Sequence, residues 1–133
     1  MKLLATAIIK GRPRVLKNNK RIFGRGGRKV VLPSVQYLNW EKEALAGLLA
    51  HKSIALIDTP VVATYRFYFE NRHAEPDVSN LIEGPQDVLV KAGILKNDKL
   101  IMRVEAEKFF GHAPRTEVAL YAYQAEVSAR KQR

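Results

Sequence analysis

Six carboxylates, Glu70, Glu75, Asp77, Glu83, Asp87 and Asp98, fall close together in a chain that is otherwise strongly basic. Among them run Asp77-Val-Ser79-Asn80-Leu81, Asp87-Val-Leu89, a glycine at 93 and Asn97-Asp98. Acid set inside a basic protein suits one kind of chemistry: holding a divalent metal against a phosphate. Mg2+ takes oxygen ligands at about 2.0–2.1 Å and keeps several waters and a substrate phosphate oxygen. Such an ion activates water and neutralises charge on a phosphodiester under attack. On a helix, Asp77, Asn80, Gly84, Asp87 and Lys91 share one face, and Val78, Leu81, Val88, Leu89 and Ala92 occupy the other. One side packs and the other presents carboxylates. Asp98 follows at the mouth of the next strand, where a strand returning beside the helix would bring it close to Asp77. Each residue also has a structural reading. Asp77 could be an acid favoured by a helix N-terminus, Glu83 and Asp87 a solvated face, and Asp98 a turn residue.

The elements that must position these groups can be read from periodicity. Leu3–Ile9 is a short apolar run that predicts a strand. Gly11–Lys29 is rich in Gly, Arg, Lys and Asn and predicts a long loop or loose hairpin. Pro33-Ser34 starts a helix with Ser34 as N-cap, and Tyr37, Trp40, Ala44, Leu45, Leu48 and Leu49 fall on one side of it. Thr59–Glu70 alternates, with Val61, Ala63, Tyr65, Phe67 and Phe69 on one face of a half-buried strand. A second helix runs from about Ser79 to Lys91 and stops at Gly93, interrupted by Gly84-Pro85. Leu100–Lys108 alternates again, with Leu100, Met102, Val104 and Ala106 predicted inward, and Val118, Leu120 and Ala122 mark a last strand. The order implies an α+β fold: a small mixed β-sheet with two helices packed on one face and the other face free. Residues 1–133 are read as a single domain with a basic loop at 11–29 and a frayed tail at 126–133.

Charge narrows the partners. Net charge is +10, and all of the excess lies in the first forty residues, which hold ten Lys/Arg and no acid. The later residues balance at thirteen of each sign. Lys10, Arg12, Arg14, Lys17, Lys20, Arg21, Arg25, Arg28 and Lys29 form one concentrated field, which attracts phosphate backbones and predicts steeply salt-dependent binding. Nothing resembles a base-reading helix, so recognition of shape rather than sequence is expected. Phe23 and Tyr37 could stack on an unpaired base or sit in the core. The alternative for the basic segment is a disordered solubilising loop. No apolar run is long enough to span a bilayer, and MKLLATAIIK is too short in its apolar part for a secretory leader. The chain has no cysteine, which excludes disulfides and thiolate zinc sites. Gly24-Arg-Gly-Gly-Arg-Lys29 lacks the ending of a nucleotide-binding P-loop, so no nucleotide cofactor is expected. His51, His73 and His112 have no metal-ligand spacing.

The ordered set Asp77-Val-Ser-Asn80-Leu81, Asp87-Val-Leu89, Lys91-Ala-Gly93 and Asn97-Asp98-Lys-Leu-Ile101 resembles the RusA family of Holliday junction resolvases, as does Leu16-Lys-Asn-Asn-Lys-Arg21 upstream. The family pattern is close to D-x-D-N-L-x-K, D-A-L, a glycine and D-D-x-Q-V. The resemblance implies a RusA-like homodimer that binds branched DNA in recombination and repair and nicks two symmetric strands of a four-way junction. It implies Mg2+ as cofactor, with Mn2+ as a possible substitute. It implies Asp77 and Asp98 as metal ligands, and Ser79, Asn80 and Glu83 as further catalytic positions, with Asp87 structural. It also implies a cytoplasmic, bacterial or phage-encoded protein. Three positions depart from the pattern: Ser79 for an aspartate, Glu83 for the lysine, and Asn97 for the first acid of the pair. The departures leave open a non-catalytic branched-DNA or RNA binding protein with a degenerate nuclease site. A basic ribonucleoprotein subunit is a further alternative.

Overall fold

In the computed structural model, residues 1–16, 20–25, 28–50 and 55–125 are described, and of residues 20–25 and 28–32 only the backbone. Six strands and three helices follow in the order β1 (Leu3–Lys10), β2 (Lys20–Arg25), β3 (Arg28–Pro33), α1 (Val35–Ala50), β4 (Val61–Phe69), α2 (Val78–Leu81), α3 (Glu83–Lys91), β5 (Ile101–Phe110) and β6 (Arg115–Ala122). The basic segment is a hairpin in part, with Phe23 opposite Val30. The main sheet has the order β1-β6-β4-β5. β6 is antiparallel to both β1 and β4, whereas β4 and β5 are parallel, with Val61 beside Ile101 at one end and Phe69 beside Phe110 at the other. Parallel neighbours need a crossover, and α2 and α3 supply it. The sheet is mixed and the helices pack on one face, as the periodicity predicts.

The core forms where three apolar stripes meet. Val61, Ala63, Tyr65, Phe67 and Phe69 line one face of β4, each exposed by 1% or less. Tyr37, Trp40, Ala44 and Leu48 come from α1, and Leu81, Val88 and Leu89 from the crossover. Ser34 caps α1 as predicted, its Oγ accepting from the Tyr37 N–H at 3.1 Å. Tyr37 is buried, so it belongs to the core and not to a base-stacking surface.

Four local expectations change. Leu49 is 55% exposed, because the buried stripe of α1 narrows to Leu48 at its end. Met102 and Val104 are 54% and 37% exposed instead of inward, because β5 is an edge strand and reaches past the cover of the helices. The second helix is two pieces divided at Ile82, three residues before Pro85. Pro85 then sits in the first turn of α3, where its missing N–H has no helical acceptor to lose. Gly84 faces inward, not with Asp87: a Cβ there would lie 3.3 Å from Tyr37 Cε1 and 3.4 Å from Trp40 Cζ3. The absent side chain lets α3 lie against the α1 aromatics.

Two glycine substitutions should therefore act in opposite directions. Gly84→Val should destabilise the fold by roughly 1–3 kcal/mol through overpacking against Tyr37 and Trp40. Gly47 lies in α1 with no atom within 4 Å of its would-be Cβ. Gly47→Ala should stabilise by about 0.5–1 kcal/mol from the backbone term alone. Denaturant unfolding of the two variants checks both signs.

Candidate active site

The acidic segment begins where β4 ends. Residues 70–77 form a loop with an Asx-type turn, Asn71 Oδ1 accepting from the His73 N–H at 3.1 Å, and with Ala74 at φ 54°. Three cations hold this loop. Arg12 donates to the His73 carbonyl at 2.8 Å and lies over the Phe69 ring at 5.1 Å. Arg72 pairs with Glu75 at 3.2 Å and covers Phe110 at 5.1 Å. Lys108 Nζ donates to the Pro76 carbonyl at 3.1 Å and lies 3.9 Å from Glu75 Oε1. Asp77 follows in extended conformation, φ −64° and ψ 145°. It precedes α2 and is not part of a helical face. Its carbonyl accepts from the Asn80 N–H at 3.0 Å, and its side chain makes no cap hydrogen bond. Asp77 and Ser79 are exposed and Asn80 is half-buried. An aspartate whose carboxylate is left out of the cap suits a ligand role, as its oxygens are not spent on the helix N-terminus.

Asp98 lies elsewhere. It opens a short 3-10 turn, Asp98–Leu100, that leads into β5. Asn97 N-caps that turn, its Oδ1 accepting from the Lys99 N–H at 2.8 Å. Residues just upstream are pinned to the chain before β4: the Ile57 N–H donates to Ile94 O and the Lys96 N–H to Ile57 O, both at 2.9 Å. Asp98 is exposed and lines a shallow concavity with Asp87, Val90, Lys96 and Asn97. Asp87 thus lines the same concavity as Asp98, although the sequence gives it a structural part only. Its oxygen is also engaged by Lys91 Nζ at 3.1 Å, and the same ammonium reaches Glu41 Oε2 at 3.0 Å. The hydrogen bond to Glu41 is the main force holding the Lys91 ammonium above its ordinary pKa, and Asp87 adds to it. Tyr37 donates to the same Glu41 oxygen at 3.3 Å. Burial first, then the charges of Glu41 and Asp87, push its phenol far above the ordinary range. Glu83, in the first turn of α3, contributes to that same negative field.

The two principal carboxylates do not meet within one chain. Asp77 adjoins Lys108 near the carboxyl end of β5, and Asp98 precedes Ile101 at its amino end. At about 3.3 Å per residue, β5 puts roughly 20 Å between those ends. The crossover from Val78 to Lys91 spans a similar distance, about 20 Å at 1.5 Å per residue. The expected return of Asp98 to Asp77 fails for this reason: a crossover between parallel strands starts and finishes at opposite ends of the sheet. Among the described residues, no three Asp, Glu or His side chains of one chain are grouped to hold a metal.

Of the basic positions, Lys10 is exposed, and Arg12 and Arg14 are half-buried. Lys17 lies outside the described residues, and Lys20, Arg21, Arg25, Arg28 and Lys29 lie on the hairpin, where only the backbone is described. Arg12 is spent in part on the loop before Asp77. Arg72 and Lys108, which the motifs do not mark, are the other cations fixing that loop. Their only signal in the sequence is charge opposite to Glu75.

Comparison with known proteins agrees with the motif order. The family described as Endodeoxyribonuclease RusA matches residues 7–121. A protein of Aquifex aeolicus named Crossover junction endodeoxyribonuclease RusA is 33% identical over 94 residues, covering 71% of this chain and 72% of that protein.

Glu75 makes the loop sensitive to acid. Its own backbone N–H, then Arg72 and Lys108, hold its carboxyl below the ordinary value of 4.5 against the opposing effect of burial. A depressed folded-state pKa contributes order that is full above 4.5 and lost as pH falls through the folded value. Amide protection across 70–77, corrected for intrinsic exchange, should fall with acidification, and Glu75→Gln should remove that dependence. Protection with the same pH dependence in wild type and Glu75→Gln would contradict the clamp.

Proposed function

The chain belongs to the RusA family of endodeoxyribonucleases, and from that premise we propose a Mg2+-dependent enzyme that resolves four-way DNA junctions by paired, symmetric nicks. We further read it as a homodimer in which each active site takes Asp77 from one copy and Asp98 from the other. The observation that carries this reading is the placement of the two aspartates at opposite ends of the crossover. A two-fold axis relating two antiparallel copies would set Asp77 of each near Asp98 of its mate and form two equal sites at once. Four-way junctions present two symmetric strands, so two equal sites suit the substrate.

The donor set fits a hard cation. Asp77 and Asp98 offer carboxylate oxygens, Ser79 a hydroxyl and Asn80 an amide oxygen, with no thiol or imidazole among them. Mg2+, when bound, would supply water activation and charge neutralisation at the phosphate. The protein's own part is placement. Arg12, Arg72 and Lys108 fix the loop that carries Asp77. Asn97 holds the turn that carries Asp98. Lys10 and Arg14, with the hairpin cations, would grip phosphates flanking the cut. Asn97 in place of an acid leaves the cap intact, since Asn and Asp cap equally well. Ser79 in place of an acid lowers the ligand charge and should weaken cation binding. We place the whole chain, as one domain, in DNA recombination and repair in the bacterial or phage-infected cytoplasm. No helix among the described residues is long and apolar enough to cross a membrane.

The test uses an immobile four-way junction with Mg2+. Wild-type protein should cut paired strands, and Asp77→Asn or Asp98→Asn alone should reduce cutting by about 10²-fold or more. Mixing and re-equilibrating the two variants should restore nicking, because half of the sites in a mixed dimer keep both aspartates. Sites built within one chain would give no rescue. Binding without nicks in Mg2+ and Mn2+ would leave only a branched-DNA binding protein, and preference for RNA would favour a ribonucleoprotein role. A separate variant, Ser79→Asp, should lower the Mg2+ concentration for half-maximal cutting by about tenfold, since ligand charge tunes cation affinity.

A further inference from the structure

Two cations share one carboxylate just upstream of Asp77. Arg72 Nε lies 3.2 Å and Lys108 Nζ 3.9 Å from the same oxygen, Glu75 Oε1. The opposite arrangement holds at Lys91, where one ammonium sits between Glu41 and Asp87. The Glu75 cluster is thus left with a surplus positive charge, and Arg12 adds another at the His73 carbonyl. Its donors are also under-used. Among the described residues, Arg72 meets Glu75 through Nε alone, at one edge of a guanidinium that can bind two oxygens at once. Lys108 stands beyond hydrogen-bond distance of that carboxylate and gives its hydrogen bond to the Pro76 carbonyl. The Arg72 side chain is 73% exposed, lying along Phe110, so an incoming anion reaches it without any change in the core. We propose that Arg72 and Lys108 form a subsite for a DNA phosphate beside the one to be cut, and that Glu75 stands in that phosphate's place until DNA arrives.

Position and exchange both support this assignment. Glu75 precedes Asp77 by two residues, about 7 Å of extended chain, so a phosphate bound there neighbours the one held at Asp77. A phosphodiester carries one negative charge over two free oxygens, as the Glu75 carboxylate does. It can take both donors of the Arg72 fork while meeting the Lys108 ammonium. An ion pair as exposed as Arg72 with Glu75 contributes little in water, so the exchange is easily made. Ala74, between the two, holds φ 54°, a conformation that residues with a Cβ rarely adopt, and release of Glu75 lets it relax. The loop does not come apart in the exchange, because Arg12 and Lys108 hold it by the backbone carbonyls of His73 and Pro76. The subsite rests on the reading of the chain as a DNA-cutting enzyme with Asp77 at its metal, and it gives that reading a contact outside the family motifs.

The experiment measures binding of the full chain to an immobile four-way DNA junction without divalent metal, which separates this contact from catalysis. Arg72→Gln and Lys108→Gln should each loosen binding by about threefold or more and reduce the salt slope by about one. Glu75→Gln should tighten it by about threefold or more, because it removes the competing anion and keeps the shape of the side chain. Uncharged methylphosphonate linkages, placed singly along each strand through the branch point, then locate the phosphate. One position should weaken wild type, weaken Glu75→Gln further, and leave the double variant R72Q/K108Q unchanged. A loop merely disturbed by the substitutions would respond alike at every linkage. Unchanged or weaker binding by Glu75→Gln, or a scan in which no linkage depends on Arg72 and Lys108, would overturn the proposal. Cutting by wild type in Mg2+ is read in parallel. Coupling without cutting would keep the subsite and sink the nuclease reading, whereas cutting without coupling would do the reverse.

Discussion

The parallel pairing of β4 with β5 is the constraint from which the rest of this molecule follows. Parallel neighbours cannot be joined by a hairpin, so the chain must leave the sheet at one end and re-enter it at the other. The acidic motif straddles that excursion. Its first aspartate lies where β4 has just ended, and its last where β5 is about to begin. Nothing in the local chemistry of either residue sets the distance between them; the length of the strand and its crossover does. The crossover also decides what must pack: α3 has to lie flat on the sheet beside α1, and Gly84 against Tyr37 and Trp40 is the contact that allows it.

Each end of the excursion is fixed by a different kind of force. At the Asp77 end the loop has little apolar surface of its own. Cations from the residues after β1, from the loop itself and from β5 bind its carbonyls and Glu75, and two of them lie over Phe69 and Phe110. Cations placed over aromatic faces near a backbone carbonyl gain on both contacts. At the Asp98 end the fixing is by backbone hydrogen bonds, the Ile57 exchange with residues 94–96 and the Asn97 cap. Part of the basic excess is therefore internal scaffolding. Arg12 illustrates the point, since the same guanidinium that would count toward a DNA surface is tied to His73 and Phe69.

Periodicity was a sound guide wherever an element is buried on one face. The alternation in β4 and the Ser34 cap and apolar stripe of α1 were legible because packing repeats every two or three to four residues. The crossover was legible in kind but not in detail. A uniform 3.6-residue reading placed Asp77, Gly84 and Asp87 on one polar face, yet Asp77 is extended and Gly84 is buried. A helix broken at Ile82 resets the phase, and no periodicity crosses such a break. Met102 and Val104 alternate as a buried strand would, and their exposure depends on β5 being at the edge, which is a property of topology. The family membership was legible from motif order, because spacing in the sequence survives where spatial proximity does not. The separation of the aspartates was not legible, since motif order carries no strand direction.

A site divided between the ends of a crossover ties chemistry to assembly. On the two-copy reading, a lone chain can hold phosphates with its basic segment but owns only half of each ligand set. Cutting then requires a mate, and the mate brings two complete sites related by symmetry in the same event. For the paired cutting proposed above, this would remove the state that does harm, a single copy nicking alone on ordinary duplex. The missing carboxylate at Ser79 acts in the same direction. On the same reading, with fewer negative ligands in each half, neither half would hold a cation firmly before the halves meet. The departure from the family pattern is then consistent with retained catalysis, with the threshold for metal capture moved toward the dimer.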